Sequence, residues 1–367
     1  MLYSTIASPA LVKGAKGISE FALRMGVPVG WAVKPTLYRQ FVGGETLDEC
    51  TKTVEILSRE NVKSVLDYSA EGGKELGDVE RAYQETIRSI DYAKGNSNIA
   101  YTVFKPTAMV VGPVLEKASE GSHLNDIEKT EMDNFRTRIF SLCRRAHENG
   151  VRILIDAEHY ATQDIIDKIT EEAMEMFNKE RVIVFHTLQM YRHDRIAYLK
   201  YLHLEAKGKN YKPGIKFVRG AYMEEERERA GVCGYLSPIH ATKTDTDRSY
   251  DDGLRYVIDN INDFELFSGT HNYESNYLLA SLILEKGLPK NDPRIFFSQL
   301  FGMSDNISFA LAREGYNICK YIPYAPVKDV LPYLLRRADE NTSMAGQTGR
   351  ELSLIKAEMN RRNMRLI

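Results

Sequence analysis

The residues best suited to bind a small anion lie close to the C-terminus, in the segment YIPYAPVKDVLPYLLRRADENTS (321–343). Four of its polar side chains follow the spacing i, i+3, i+4 and i+7: Tyr333, Arg336, Arg337 and Glu340. On a helix this spacing places all four on one face, because residues three and four apart are neighbours. Two adjacent guanidinium groups can hold a carboxylate or a phosphate, since each donates two parallel hydrogen bonds. The alternative is a solvent-exposed face with a local Arg–Glu ion pair.

Polar residues also follow, or interrupt, a series of short β-branched or aromatic runs elsewhere in the chain. In chain order they are Lys105, Asp156, His186, Gln189, Lys216, Arg219, Tyr222, Thr270, His271, Asn272 and Gln299. Any one of them alone is more simply explained as a buried polar group with a hydrogen-bond partner. Lysines and arginines that converge in one pocket would instead favour a small anionic substrate or an anionic cofactor.

The runs that carry these residues are predicted to be β-strands. Their predicted bounds are 62–68, 99–104, 152–157, 182–188, 215–221, 265–269, 295–300 and 318–324. Amphipathic segments between them predict helices at 74–94, 125–149, 163–179, 192–206, 247–261, 273–285 and 304–314. Strands that alternate with helices of this length indicate βαβ units and a parallel sheet. Eight such units favour an α/β fold with a closed (βα)8 barrel of the TIM type, whose catalytic groups follow the C-terminal ends of the strands.

Three regions are predicted along the chain: an N-terminal helical arm (1–60), the barrel (61–343) and a C-terminal tail (344–367). The arm is expected to form helices near 9–25, 35–41 and 46–60, and Thr46 with Glu49 forms a capping box for the last of these. The tail carries Arg361, Arg362 and Arg365 among apolar residues. Such a segment suits an anionic lipid surface, or equally a helix packed over the mouth of the barrel.

The composition indicates a globular protein without a basic surface for nucleic acid. Of 367 residues, 43% are hydrophobic, and 49 basic against 51 acidic residues leave a net charge of −2. The four cysteines are scattered and form no CxxC pair, which is typical of reduced thiols. No apolar run has the length of a bilayer span and no signal-peptide pattern is recognised. We expect a cytoplasmic protein that is at most peripheral to the inner face of a membrane.

Several longer motifs resemble those of the proline dehydrogenase family. They are VFKPTA, LIDAE, HTLQMY, IKFVRGAYM, THN, QLFGMSDN and YLLRRADENTS, and the resemblance runs from about residue 41 to residue 343. It implies a distorted (βα)8 barrel that holds FAD and oxidises L-proline to Δ1-pyrroline-5-carboxylate. It also implies a quinone as electron acceptor in the first step of proline catabolism. The chain is similar in length to the single-function members.

The resemblance implies a role for each matching residue near the substrate. Arg336, Arg337 and Lys105 would bind the proline carboxylate, with Glu340 holding the arginines in place. The residues that match the wall around the pyrrolidine ring are Phe217, Tyr222, Tyr321 and Tyr333. Asp156 would border the flavin and the substrate, and the Lys216 cation would approach N5 of the flavin, which makes these two the candidate catalytic residues.

The same resemblance implies a set of residues that contact FAD. They are Ala157, Gln189, Val218, Arg219, Gly220, Ala221, Thr270, His271, Asn272 and Gln299. Gly220 suits a backbone approached closely by a cofactor, because a Cβ would be in the way. No GxGxxG fingerprint follows a strand, so a Rossmann-type site is not indicated. The oligomeric state and the group that deprotonates the substrate amine are not specified by the sequence; solvent or a tyrosine network could serve.

Three competing functions were weighed. A hydroxyproline dehydrogenase shares nearly all of these motifs, but the Tyr321 phenol should crowd a 4-hydroxyl group, so proline is favoured. A non-catalytic proline-binding scaffold would require a damaged flavin or carboxylate site, and no damage is evident. A metal-dependent barrel hydrolase could use Asp156, Glu158, His159, His186 and His271. These five lack a recognised ligand spacing, and no metal is predicted.

Overall fold

The fold is a closed barrel of eight parallel strands, in the order β1-β2-β3-β4-β5-β6-β7-β8. The computed structural model describes residues 37–69, 75–327, 329–331, 333, 334, 336, 360 and 361. The strands are β1 Lys63–Tyr68, β2 Ile99–Phe104, β3 Arg152–Ile155, β4 Val184–Gln189, β5 Gly214–Val218, β6 Glu265–Gly269, β7 Ile295–Leu300 and β8 Ile318–Tyr324. The predicted α/β class and (βα)8 barrel are therefore confirmed.

Two helices precede β1, and the others lie between successive strands of the barrel. The helices are α1 Arg39–Phe41, α2 Leu47–Ser58, α3 Leu76–Ala93, α4 Val114–Ser119, α5 Asp126–Asn149, α6 Tyr160–Phe177, α7 Arg195–Gly208, α8 Met223–Cys233, α9 Lys243–Asp259, α10 Tyr273–Glu285 and α11 Asp305–Arg313. A 3-10 turn, Pro106–Met109, follows β2. The described residues between 327 and 336 are also helical. Local signals account for many bounds: Asn125 and Glu128 form a capping box, and Gly150 ends α5 in the left-handed conformation.

Side chains alternate between the barrel interior and the surrounding helices, which produces two separate apolar cores. In the interior, the Tyr101 ring makes edge-on contacts with Phe185, Phe267 and Phe296 at centroid distances of 5.1, 4.9 and 5.2 Å. The outer core lies between the strands and the helices. Because aromatic rings fill the interior, a ligand of this barrel has room only above them, towards the C-terminal ends of the strands.

Two strands end earlier than predicted, and two helices were not predicted. β3 ends at Ile155 and β5 at Val218, so Ala157, Gly220 and Ala221 lie in loops at the mouth instead of in strands. Helices α4 and α8 have no counterpart in the prediction. The α8 sequence MEEERERAGVC lacks an apolar stripe, and only Glu226 and Ala230 are buried in it.

The described part of the N-terminal arm packs against the last strand. The Tyr38 hydroxyl donates to the Ala325 carbonyl at 2.9 Å, and the Gly43 N–H donates to the Pro323 carbonyl at 2.9 Å. Only half of the expected capping box forms: Thr46 Oγ1 accepts from Glu49 N, whereas the Glu49 carboxylate accepts from the N–H of Glu45.

The predicted helix at 9–25 and most of the tail lie outside the described residues, and the domain bounds remain predictions. In the described part of the chain, no helix is both apolar enough and long enough to cross a bilayer.

Candidate active site

A cluster of four charged groups and a phenol lies inside the barrel below its mouth. Asp156 Oδ1 accepts from Lys216 Nζ at 2.5 Å. Asp156 Oδ2 accepts from Lys105 Nζ at 3.3 Å and from the Tyr321 hydroxyl at 2.9 Å. Lys105 Nζ also donates to Asp67 Oδ2 at 3.1 Å. Two ammonium groups thus face two carboxylates, and the buried charge is balanced.

The surroundings of Asp156 keep it ionised. Burial alone would raise the pKa of this carboxyl, but Lys216, Lys105 and the hydrogen bond from Tyr321 together hold that pKa below its usual value. The pKa of Tyr321 is raised well above its ordinary value by burial and by the negative charge of Asp156. At neutral pH Asp156 is therefore a hydrogen-bond acceptor and Tyr321 a donor, with cations on either side.

Asp67 belongs to this cluster and was missed by the sequence analysis. It is fully buried near the end of β1, and its Oδ2 also accepts from Ser69 Oγ at 2.5 Å. Its Oδ1 has no hydrogen-bond partner among the described residues. One signal was available: Asp67 ends an apolar run in the same way as the polar residues that follow the later strands.

Phe217, which was expected in the pocket, and His186, one of the polar strand-end residues, point the other way. The Phe217 ring lies in the outer core, against the Tyr250 ring at 5.9 Å. It is the neighbour of Lys216, which faces inward, and consecutive strand residues face opposite sides. His186 likewise points outward, where Nε2 contacts the Tyr198 hydroxyl at 3.1 Å and Asp167 at 3.2 Å. The assignment of Phe217 to the substrate wall was therefore wrong in this structure.

Some of the aromatic and cationic groups expected around the substrate come together at the mouth of the barrel. Tyr222 caps the N-terminus of α8 and is buried, and the Arg336 guanidinium carbon lies 5.6 Å from the centre of its ring. Tyr333 is also buried, and it contributes to the electrostatic environment of Tyr321. Arg337 and Glu340 lie outside the described residues.

A second polar cluster joins β5 to the segment after β6. Arg219 donates to Asp247 at 2.8 Å and to Thr270 Oγ1 at 2.5 Å, and it stacks 4.5 Å above the Tyr250 ring. Asn272 caps α10. His271 Nδ1 lies 2.9 Å from Ser304 Oγ. Residues predicted to contact one cofactor thus lie side by side along one edge of the mouth.

The two glutamines of the predicted cofactor set are buried below that edge. Gln299 Nε2 donates to the Thr270 carbonyl at 3.1 Å and to Asn276 Oδ1 at 3.2 Å, so both amide hydrogens are used within the protein. Gln189 Nε2 donates to the Glu158 carbonyl at 3.0 Å. Gln299 therefore supports the Thr270 backbone from beneath, instead of presenting a donor to the mouth.

Packing within the protein itself already requires a glycine at position 220. Its φ is +134°, and a Cβ built on it would lie 2.4 Å from Cζ of Tyr191. The Tyr191 ring therefore packs on the Gly220 backbone, and Tyr191 is a further residue that sequence reasoning missed. The small residues Ala157 and Ala221, together with Val218, are half-buried around this edge.

The described residues contain no group of three or more His, Cys, Asp or Glu side chains arranged to hold a metal ion. The site is instead built from lysines, arginines, tyrosines and single carboxylates.

Comparison with known proteins places the chain in a family. A family model described as proline dehydrogenase matches residues 50–350. The chain is 33% identical over 323 residues to the carbapenem antibiotics biosynthesis protein CarD of Pectobacterium carotovorum subsp. carotovorum, covering 88% of this chain and 83% of that protein. It is 32% identical to mitochondrial proline dehydrogenase 1 of Arabidopsis thaliana, covering 94% and 78%. It is 29% identical to hydroxyproline dehydrogenase of Xenopus laevis, covering 99% and 86%.

Among solved structures, the chain resembles proline utilization A (PutA) from Bdellovibrio bacteriovorus inactivated by N-propargylglycine, with a TM-score of 0.77 at 20% identity. That likeness covers 86% of this chain and 34% of the PutA chain, so the present chain spans about a third of that protein. The barrel, the polar strand ends and the family match together identify the chain as a member of the proline dehydrogenase family of oxidoreductases.

Proposed function

We propose that this protein oxidises L-proline to Δ1-pyrroline-5-carboxylate, with FAD as the cofactor that accepts the hydride. The observation that carries the proposal is the cluster of Lys105, Asp156, Lys216 and Tyr321 inside the barrel of a proline dehydrogenase family member. Its cations and phenol suit a small carboxylate with an apolar ring.

Substrate binding is proposed to use charge at one end of the molecule and aromatic surface at the other. Lys105 and Arg336, with Arg337, would bind the proline carboxylate, because ionised donors make the strongest hydrogen bonds to it. Tyr222, Tyr321 and Tyr333 would pack around the pyrrolidine ring. A substrate held at both ends has lost most of its orientational freedom before reaction, which favours transfer from one defined carbon.

The described residues fit a flavin dinucleotide at two points. Thr187 Oγ1 and Asp67 Oδ1 are buried inside the barrel without a hydrogen-bond partner among those residues, which suits a polar bound molecule above them. Arg219 lies beside Thr270 and Ser275 at the start of α10, where a cation and a helix N-terminus suit a phosphate. Gly220, Ala221, His271 and Asn272 would complete this edge. FAD, when bound, supplies the acceptor for the hydride that leaves C5 of proline.

The chain's own residues would set the electrostatics of the reaction. Lys216 brings a positive charge to the site where negative charge develops, and Asp156 keeps that ammonium oriented. Asp156 is held ionised by its neighbours, so it donates no proton itself. The substrate amine must lose its proton before hydride transfer, either to solvent or through the tyrosine hydroxyls at the mouth.

Proline is proposed as the substrate in preference to hydroxyproline. Tyr321 is almost fully buried and its hydroxyl is tied to Asp156, so its ring cannot swing away to admit a 4-hydroxyl group. A comparison of kcat/KM for L-proline and trans-4-hydroxy-L-proline tests this choice. Preference for the hydroxylated substrate would make the protein a hydroxyproline dehydrogenase, as one relative is named.

An anaerobic titration of the FAD-loaded protein with L-proline is the direct test of the activity. Bleaching of the flavin absorbance in proportion to the added proline is expected. A protein that binds proline but leaves FAD oxidised would instead be a proline-binding scaffold, and a protein that loads no FAD would contradict the cofactor assignment.

Beyond the barrel, we propose a quinone as the electron acceptor and a cytoplasmic protein that makes peripheral contact with a membrane through residues 344–367. The arm would span 1–60 and the catalytic barrel 61–343. Binding to vesicles of anionic lipid, lost when the tail arginines are replaced by glutamine, tests the membrane contact.

A further inference from the structure

Helix α8 is connected by polar side chains to other parts of the barrel. It begins directly after β5, yet its side chains reach segments that follow β3 and β2. The Glu226 carboxylate accepts from the N–H of Tyr160, the first residue of α6, at 2.7 Å. Arg229 forms an ion pair with Glu116 on α4. The helix is therefore held by polar contacts to the segments that follow β3 and β2.

The residue that caps α8 is Tyr222, one of the proposed substrate-binding groups. Among the described residues, its ring lies against the His159 ring, with centroids 4.1 Å apart and planes inclined at 37°, and against the Arg336 guanidinium at 5.6 Å. His159 comes directly before α6, three residues after Asp156. A contact between the segments after β3 and β5 thus runs through Tyr222 to Arg336, in the helical segment that follows β8.

His159 is held by charge as well as by ring contact. Its Nε2 lies 2.7 Å from Glu225 Oε2, one turn into α8. The negative charges of Glu226, from the same helix, and Glu158, from its own segment, also act on the imidazole. Burial lowers the pKa of His159, but these three carboxylates outweigh it and raise the pKa above its usual value. The charged pair is therefore complete at low pH and is lost as pH rises through the raised pKa.

We propose that His159 is a positioning residue for substrate binding. Its charged imidazole, paired with Glu225, holds the start of α8 and therefore Tyr222 against Arg336, so the affinity for the substrate carboxylate falls when His159 loses its proton. This inference rests on the proposed function, because it requires Tyr222 and Arg336 to contact the substrate. It adds a residue that sets how affinity depends on pH.

The test needs a ligand whose own charge is constant. Tetrahydrofuran-2-carboxylate has the ring and carboxylate of proline with an ether oxygen in place of the amine, so it stays a monoanion above about pH 5. Its dissociation constant for the FAD-loaded protein is measured by calorimetry from about pH 6 to pH 9. For the wild-type protein we expect it to rise about two- to fivefold over this range, as expected for a partly exposed ion pair.

Three variants separate charge from packing. His159→Gln and Glu225→Gln each remove the ion pair, and His159→Phe keeps a ring against Tyr222 without a charge. We expect all three variants to bind the ligand with an affinity that no longer changes with pH. The double variant His159→Gln/Glu225→Gln should bind the ligand as tightly as either single variant. Glu224→Gln is the matched control, because Glu224 is exposed on the same helix and should retain the wild-type profile.

Each result bears on a different claim. A wild-type pH profile in His159→Gln or Glu225→Gln overturns the inference, as does a uniform loss of affinity at every pH together with a lowered melting temperature, which indicates packing alone. If the wild-type protein binds the ligand at no pH, the proposed substrate site is contradicted and this inference with it.

Discussion

The ammonium of Lys216 lies 2.5 Å from the Asp156 carboxylate, inside the barrel and beneath its mouth. Asp156 follows β3, whereas Lys216 belongs to β5, and the other partners of this carboxylate come from the segment after β2 and from β8. One side chain therefore connects four parts of the barrel wall. Its negative charge orients Lys216 for the proposed chemistry and also compensates the positive charge of the buried ammonium groups.

Replacement of Asp156 by asparagine should damage activity and stability together. The amide keeps the shape of the side chain but removes its charge. Asp67 then remains as a partner of Lys105, whereas the buried Lys216 ammonium loses the carboxylate that it contacts. Removing one partner of a buried ion pair costs about 3–5 kcal/mol of unfolding free energy, measurable by urea denaturation. We expect kcat/KM for proline to fall at least about a hundredfold. Asp133→Asn, at an exposed position on α5, is the control; equal behaviour of the two variants would refute the role of Asp156.

Replacement of Arg336 by methionine should weaken substrate binding while FAD stays bound. A hydrogen bond to a charged group contributes about 1.5–3 kcal/mol, so KM for proline should rise roughly ten- to a hundredfold. Steady-state kinetics and the flavin absorbance of the purified variant provide the two measurements. Arg313→Met removes an exposed arginine of α11 and should leave KM unchanged. Loss of FAD with an unaltered KM would mean that Arg336 contacts the cofactor instead.

The buried Asp167 should make the protein sensitive to acid. Burial raises the pKa of this carboxyl, but His186 and Arg195 outweigh it and hold the pKa far below its usual value. A carboxyl with a lowered pKa in the folded state stabilises that state above its unfolded pKa, and the stabilisation is lost as pH falls below about 4. Asp167→Asn should therefore unfold more easily at pH 7 and lose less stability between about pH 4 and 2.

Denaturant unfolding at several pH values checks this dependence. The control is Asp164→Asn, at an exposed position on the same helix, and it should follow the wild-type curve. An Asp167→Asn variant with the wild-type slope at acid pH would show that other carboxylates control the acid transition.

Glycine is needed at 220 and is dispensable at 231. Gly220→Ala should lower the unfolding free energy by about 1–3 kcal/mol, because φ is +134° and the Cβ would meet the Tyr191 ring. Gly231 lies within α8 with nothing within 4 Å of an added Cβ. Gly231→Ala should therefore stabilise the protein by about 0.5–1 kcal/mol. Urea denaturation of both variants measures the contrast, which would be absent if the Gly220 loop could shift freely.

The barrel could be predicted from the sequence because its signals are local. Alternation of β-branched runs with amphipathic segments, and caps such as Asn125 and Gly150, identify strands and helices without knowledge of their partners. The polar strand ends then follow from the geometry of a parallel barrel. Helix α8 was not predicted because its contacts are polar. Glu226 is buried and its carboxylate accepts a hydrogen bond from the Tyr160 backbone N–H, a contact that hydrophobic periodicity cannot reveal.

Which side of the barrel wall an individual strand residue points to could not be predicted, for a different reason. Both sides of a strand in this barrel are buried, so an apolar residue such as Phe217 is equally compatible with either side. Only closure of the barrel shows that Lys216 faces inward and Phe217 outward. Asp67 was overlooked because a lone acid in an apolar strand has no partner along the sequence; its partner, Lys105, follows the next strand.

The contacts between the first described segment and the last strand determine when folding can finish. β1 pairs with β8 along its whole length, and the Tyr38 hydroxyl reaches the Ala325 carbonyl 287 residues further on. Neither contact can form before the ribosome has released the C-terminal strand. Until then one edge of β1 has no partner strand, and a chain that stops short of residue 324 cannot complete its barrel.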